Sequence, residues 1–394
     1  MSKHLSTPFR FDYVGSFLRP ARLKEARQKF SEQAISADEL KAVEDDCIRE
    51  LVAKQKAAGY HVITDGEFRR ATWHLDFMWG FQGIAHEKTD KGVCFHGEPA
   101  LIDDTWLTGP LSAENHPFVE HFKFVHALED ENTVAKQTIP APAQFFQQMI
   151  LPDNIERTRK VYATDEELIE AIAQGYRTVI HDLYAAGCRN LQFDDCTWGV
   201  LAAGGKKGGK FAYVEGSDLK KLAEQFVTVN NLAIEGSPDD LVINTHVCRG
   251  NYHSVYFASG AYDPIADPLF TRENVNAYYL EFDDERSGGF TCLKDVTPGK
   301  KVVLGLITTK RPELEDKAAI IARIHEAAKY VPLENLYLSP QCGFASCEIG
   351  NKLTEMSSGP SWTWCAPSPG RFGKIQFIKI TQNGRGRPCR LFYL

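Results

Sequence analysis

The chain has 394 residues, 43% hydrophobic and 25% charged, with 45 Lys and Arg against 52 Asp and Glu for a net charge of −7. These are ordinary globular values, and the negative balance argues against nucleic acid or an anionic membrane surface as the main partner. No apolar run approaches the roughly 20 residues that cross a bilayer, the start M-S-K-H-L-S-T-P lacks an apolar signal core, and ten scattered cysteines read as the reduced thiols of a cytoplasmic protein.

Residues 11–17, F-D-Y-V-G-S-F, read as a short strand ending in a Gly-Ser turn. Ser36 to Glu39 has the form of a capping box before a helical stripe of Leu40, Val43, Cys47, Ile48, Leu51 and Val52 that stops at Gly59. A second strand at 60–64 ends in Asp65-Gly66-Glu67. The stretch 73–136 is aromatic-rich and poorly periodic, and is expected to be a long loop insertion with some local structure. A third strand is expected at 136–140. Thr164 to Glu167 caps a helix carrying Leu168, Ile172, Val179 and Leu183, and the fourth strand, 191–193, ends in Asp194-Asp195. After a Gly/Lys-rich loop at 204–210 and a helix at 217–235, the fifth strand lies within 241–251, L-V-I-N-T-H-V-C-R-G-N. Strands at 277–282, 301–307 and 335–338 follow, with a helix at 314–330 between the last two.

Strands alternating with helices predict an α/β protein, a single (β/α)8 TIM barrel. Polar residues fall at or just past nearly every strand's C-terminal end: Gly15-Ser16, Glu67, Asp194, His246 and Cys248, Glu281, Lys310 and Cys342. In such barrels that end carries the active site. His246 and Cys248 stand two apart, so on a strand they leave the same face, a natural half of a metal site. Cys342 and Glu281 would complete a set of two thiols, one imidazole and one carboxylate that suits Zn2+. Taken singly, Cys342 could be core and Glu281 could pair with Arg286.

Four motifs, Y-V-G-S-F-L-R-P, H-V-C-R-G-N, L-E-F-D-D-E-R-S-G and L-S-P-Q-C-G-F-A-S, resemble the C-terminal catalytic barrel of the cobalamin-independent methionine synthase family, and in particular its short stand-alone homologues. The resemblance covers about residues 10–355. It implies zinc-dependent transfer of a methyl group to the thiol of L-homocysteine, giving L-methionine in the cytoplasm. It also implies that His246, Cys248, Glu281 and Cys342 ligate zinc. Ser16, in the Val14-Gly15-Ser16 turn, and Glu67 would hold the amino-acid substrate, and Asp194 would grip its ammonium group. The physical role of the metal would be to deprotonate a thiol whose free pKa is about 8.5 while leaving its sulfur nucleophilic.

Two departures leave the methyl donor open. Full-length members carry a histidine proton donor in a sequence like D-I-H-S-P. Here the matching stretch is T-T-K-R-P with Lys310 at that position, and a lysine of ordinary pKa, about 10.4, is a poorer acid near neutrality. The family's N-terminal half, which contributes to binding the polyglutamate tail of the folate, has no counterpart here. A methylated folate, another methylated small molecule and a methyl-corrinoid protein are all carried forward as donors. Alternative readings are a zinc-dependent alkyltransferase acting on another thiol, such as epoxide opening by a coenzyme thiol, a barrel of the uroporphyrinogen decarboxylase type, which needs no such zinc set, and an inactive or purely binding barrel.

The composition changes after Glu355. Residues 356–394 hold six Arg or Lys and no Asp or Glu, and place Gly, Pro and Trp where the barrel's eighth helix is expected. A neighbouring reading frame of DNA encoding 356–374 can spell D-E-Q-W-A-K-L-D-L-V-R-A-I-A-R-E-V-W-K, helical in period and similar to the family's final helix. The tail is therefore read as atypical and frameshifted by one base near codon 355, with the last helix disrupted.

Overall fold

The computed structural model describes residues 5, 7–90, 92–204, 218–313 and 315–353, together with two short strand segments, Phe377–Ile380 and Cys389–Tyr393. The expectations for the 204–210 loop beyond Gly204, and for the tail and its missing helix, fall outside the described residues apart from those two segments.

The chain opens with helices α1 (Ala21–Ser31) and α2 (Ala37–Ala57). The predicted capping box at α2 is formed: the Ser36 side chain accepts from Glu39 N, and the Glu39 carboxylate accepts from Ser36 N at 2.8 Å. Strand β1 (Val62–Ile63) follows, then α3 (Leu75–Met78), strands β2 (Gln82–Glu87), β3 (Gly92–Phe95), β4 (Glu98–Leu101) and β5 (Asp104–Ser112), helix α4 (Pro117–His126) and strand β6 (Val134–Ala135). The region expected to be mostly loop is thus built of two antiparallel pairs, β2 with β5 and β3 with β4, and two helices. Its elements are short and packed on distant residues, so no long hydrophobic period announces them.

Next come β7 (Gln137–Pro140), α5 (Pro142–Met149), α6 (Ile155–Val161), α7 (Asp165–Ala185), β8 (Asn190–Asp195), α8 (Thr197–Ala202), α9 (Leu219–Ile234) and β9 (Val242–Val247). Strand β10 (Ala277–Glu281), β11 (Lys301–Ile307), α10 (Lys317–Ala327) and β12 (Leu336–Pro340) complete the series. The stripe predicted on α7 is the buried one: Leu168, Ile172, Val179 and Leu183 are all inaccessible. The α5 and α8 helices went unread, being only 8 and 6 residues long.

Strands β7 to β12 form one parallel sheet in which neighbours in space are neighbours in sequence. Their residues are buried on both faces, as expected of parallel strands covered by helices. β1 pairs in parallel with β6, which runs through Lys136 into β7. At the other edge the predicted strand 11–17 contributes a single parallel bridge, Phe11 to Leu338. Its ladder stops there because the Asp12 carboxylate takes the backbone N–H of Tyr13 at 2.7 Å and of Phe9 at 3.2 Å, a local competitor for strand pairing. Side chains join this segment to β1 instead: Tyr13 Oη donates to Val62 O at 2.6 Å and Thr64 Oγ1 to Gly15 O at 2.8 Å. Lys136 is fully buried and ties the same segment to the sheet, donating to Asp12 Oδ1 (2.7 Å), Tyr13 O (2.6 Å) and Gln192 Oε1 (3.2 Å). Among the described residues no helix is long and apolar enough to cross a membrane.

Candidate active site

The C-terminal ends of these strands open onto one cavity. Val14, Ser16, Glu67, Asp194, His246, Cys248 and Cys342 line it. Gly15, Glu281 and Lys310 are not on its wall. Gly15 acts through its carbonyl, which holds Thr64. Glu281 stands behind Cys248.

His246, Cys248 and Cys342 bring one donor atom each to within 4.8 Å of one another, and all three are buried. The Nδ1 of His246 faces Tyr279 O at 3.3 Å, whereas its Nε2 is buried without a hydrogen-bond partner among the described residues. A proton held on Nδ1 leaves the Nε2 lone pair for a cation. The sulfurs of Cys248 and Cys342 are 3.7 Å apart, and two sulfurs bound to one tetrahedral zinc at about 2.3 Å each would stand about 3.8 Å apart. Glu281 Oε1 lies 3.8 Å from Cys248 Sγ, while Oε2 accepts from Arg249 N at 2.9 Å and faces Arg286 at 3.5 Å. The pairing of Glu281 with Arg286 and its approach to the thiols are therefore both present, one on each oxygen. Glu281 is nonetheless outside the tight three-residue group. The donor chemistry and the orphaned imidazole nitrogen fit a zinc ion.

The rest of H-V-C-R-G-N tethers these donors. Arg249 lies over the Tyr262 ring at 3.9 Å and donates through Nε (2.9 Å) and Nη2 (2.7 Å) to Gly260 O. Gly250 N donates to Cys248 Sγ at 3.1 Å. Asn251 Nδ2 donates to Gly343 O at 2.7 Å, tying the Cys248 loop to the Cys342 loop. Gly343 itself must lack a side chain, since a Cβ there would stand 1.9 Å from Ser16 Oγ.

Glu67 sits on left-handed backbone (φ 62°), a costly conformation for a non-glycine residue. Its N–H is held by Asp65 Oδ1 at 2.8 Å, and its Oε1 accepts from Thr138 Oγ1 at 3.1 Å and faces Arg70 at 3.5 Å. Its Oε2 has no hydrogen-bond partner among the described residues. Asp194 Oδ1 accepts from Gln192 Nε2 at 2.8 Å. Burial raises the pKa of both carboxyls, and the charge of Asp194 adds to the rise at Glu67 against the pull of Arg70. Two buried carboxyls facing one cavity fit a ligand that brings positive charge.

Lys310, the residue at the family's proton-donor position, is not among the residues of the cavity wall. Its Nζ is buried with no hydrogen-bond partner among the described residues. Sequence reasoning missed three parts of the wall. His74 packs its ring on Trp73 with centroids 4.5 Å apart, and burial pushes its pKa down to about 3, so it stands neutral. Cys196 lies beside Cys248, and its position two after Asp194 in L-Q-F-D-D-C was the available signal. The third part is the β3–β4 hairpin, whose Phe95, Ala100 and Leu101 reach the cavity with Ile102. Its turn, His96 (φ 42°) and Gly97 (φ 91°), is a two-residue turn of the I′ kind, signalled by the glycine in F-H-G-E. Phe95 packs on Tyr252 and Phe257, each at 5.3 Å between centroids, and Glu98 accepts from His253 at 2.9 Å and pairs with Lys352.

Known proteins resemble this chain over most of its length. The catalytic-domain model of the cobalamin-independent synthases matches residues 11–358. The uncharacterized protein YxjH of Bacillus subtilis (strain 168) is 40% identical over 354 residues, 90% of this chain and 92% of that protein. The 5-methyltetrahydropteroyltriglutamate–homocysteine methyltransferase of Syntrophotalea carbinolica is 24% identical over 344 residues, 84% of this chain but 39% of that protein. A solved structure from Listeria monocytogenes, described as a candidate vitamin-B12 independent methionine synthase, superposes with a TM-score of 0.71 at 34% identity, covering 92% of this chain and 97% of that one. The chain belongs to the cobalamin-independent methionine synthase family, through its catalytic domain.

Proposed function

We propose that this protein is a zinc-dependent S-methyltransferase that methylates the thiol of L-homocysteine to give L-methionine, built on a closed (β/α)8 barrel. The observation that carries the reading is the buried group of His246, Cys248 and Cys342 beside two carboxyls whose pKa is raised, all facing one cavity. For the barrel, the support is the parallel order of β7 to β12 with the 11–15 segment and β1 joined at its edges.

His246, Cys248 and Cys342 would hold the zinc, with Glu281 as the fourth donor. Bound there, zinc supplies the positive charge that keeps a substrate thiol deprotonated at neutral pH. Glu67 and Asp194 receive the substrate ammonium and so aim its sulfur at the centre, an orientation effect that substitutes for a chance encounter. The Val14 to Ser16 turn is held rigid for this task. Val14 O accepts from Gln192 Nε2 at 2.8 Å, Gly15 O from Thr64, and Ser16 O from Phe344 N at 3.0 Å. In the transfer the donor's methyl carbon moves to the sulfur, the thiol's proton having left on binding, and the donor's leaving atom keeps the bonding electrons. The apolar wall of Phe95, Leu101, Ile102 and Phe257 keeps water from that carbon.

The test is metal analysis of the purified protein followed by methionine assays with a methylated folate, with and without its glutamate tail, and with a methylated corrinoid. About one zinc per chain and turnover with one donor are expected. Less than about half an equivalent of tightly held zinc rejects the centre. Zinc without turnover from any donor moves the reading to another thiol.

The boundary at 355 belongs to the same proposal. The family match ends at 358, three residues past the break in composition. Resequencing and a C-terminal peptide mass test it, and an intact frame producing residues 356–394 rejects the frameshift.

A further inference from the structure

We propose that Cys196 is the disulfide partner of Cys248, so that peroxide opens the metal centre reversibly. The pairing follows from strand register. β8 and β9 run in parallel with Asp194 opposite His246 and Asp195 opposite Val247. The ladder continues one step further, since Cys248 N donates to Asp195 O at 3.1 Å. Cys196, the cap residue between β8 and α8, therefore comes next to Cys248 just past a ladder whose strands stand about 4.8 Å apart. That spacing lies inside the roughly 4.4–6.8 Å between Cα atoms that a disulfide spans. The two thiols are within hydrogen-bonding reach of each other, and both line the cavity. The contact is tight by design of the following helix: a Cβ at Gly199 would stand 2.2 Å from Cys248 O.

Cys342 is the competing partner, its sulfur 3.7 Å from that of Cys248. It belongs to the three-residue donor group, and Cys196 does not. With the donors engaged, Cys196 is the neighbouring thiol free to react. Hydrogen peroxide entering the cavity transfers one oxygen to the Cys248 sulfur, forming a sulfenic acid. The Cys196 sulfur then attacks that sulfur and displaces the oxygen as water. In sum two thiols lose two protons and two electrons, peroxide takes them up to become two waters, and one S–S bond forms. The disulfide removes Cys248 from the donor set, and a dithiol restores it. Without Cys196, and with Cys342 held among the donors, a second peroxide transfers a further oxygen to the sulfenic acid and gives the sulfinic acid, which thiols do not reduce. Loss of metal on oxidation rests on the zinc reading above, whereas the cross-link does not.

The experiment treats the full chain, with its zinc content measured beforehand, with hydrogen peroxide in severalfold molar excess. Free thiols are then alkylated, and peptides are identified by mass spectrometry without reduction, while a chromogenic chelator follows metal release. A Cys196–Cys248 linked peptide appearing in step with metal release is expected, with metal binding recovered after dithiothreitol and added zinc. In Cys196→Ser and Cys196→Ala, recovery should fall about fivefold or more and Cys248 should carry two added oxygens. A Cys248–Cys342 link as the main product, or equal recovery in wild type and both variants, overturns the proposal. A Cys196–Cys248 link in a chain that never bound zinc supports the pairing and removes the metal reading instead.

Discussion

The two halves of the cavity are held in different ways. On the strand-end side three donors are fixed by neighbours close in sequence or one strand away: Tyr279 O holds His246, Gly250 N holds Cys248, and Arg249 N holds Glu281, while the Cys342 loop is tied in through Asn251. On the other side, the β3–β4 hairpin is carried by contacts to residues 252–257 and 352, more than 150 positions away. The first side presents sulfur, nitrogen and carboxylate, and the second presents mostly apolar carbon. Under the proposed function this is a division of labour, with the chemistry assigned to the strand ends and selection among donors to the hairpin.

Breaking the first side should cost most. Cys342→Ser is expected to lose zinc and activity together, by about 1,000-fold or more in turnover, the scale of losing electrostatic stabilisation at a reacting atom. Metal analysis of the folded variant beside its kinetics checks this, and zinc-dependent activity at even a tenth of wild type would take Cys342 out of the ligand set.

Next in size are the carboxyls. Glu67→Gln and Asp194→Asn should keep their zinc yet lose about 2–4 kcal/mol, roughly 30- to 1,000-fold, in kcat/KM for homocysteine, as when one member of a buried charge pair is removed. The pH dependence has a definite sign. Burial raises both carboxyls to about 7 from an ordinary value near 4, so with the cavity empty of ligand they retain protons at slightly acidic pH. An incoming ammonium favours the ionised forms. Affinity for methionine should therefore rise by about tenfold per pH unit per proton released up to about pH 7, and level off above it. Calorimetry between pH 5.5 and 8 measures this. The same shift makes the folded protein bind more protons than the unfolded chain between about pH 4 and 7. This pair's contribution to stability therefore falls as pH rises through that window. A flat affinity profile would remove the carboxyls from the ammonium site.

What could be read from the sequence follows the same division. Spacing alone left His246, Cys248, Glu281 and Cys342 as separate candidates at strand ends, and the family resemblance joined them; only the folded sheet, with β10 and β11 between β9 and β12, brings Cys342 to His246 and Cys248. The Ser36 and Thr164 capping boxes were legible because they are local, and both formed. Cys196 was passed over because its partner is set by register between β8 and β9, which neither strand alone displays. The hairpin was passed over because β3 and β4 are four residues each and gain their burial from Tyr252 and Phe257. Breaking that side should cost less. Phe95→Ala is expected to raise KM for the methyl donor about fivefold, roughly 1 kcal/mol of lost apolar contact, with zinc content and KM for homocysteine unchanged. Equal effects on both substrates would contradict a donor-selecting role.

Lys310 tests whether a strand-end position is enough to make a working residue. It stands just past β11, as the acid of the family's full-length members would, but it has neither a place on the cavity wall nor a hydrogen-bond partner among the described residues. A buried ammonium without a partner is expensive, and an apolar side chain of similar length is often neutral or stabilising in its place. Lys310→Met should therefore leave kcat within about threefold of wild type and hold or raise the midpoint of thermal unfolding, by up to a few degrees for about 1 kcal/mol. A fall of about 100-fold in kcat with unfolding unchanged would bring Lys310 back into the chemistry, since a residue that only fills space cannot alter turnover on that scale while leaving the fold intact.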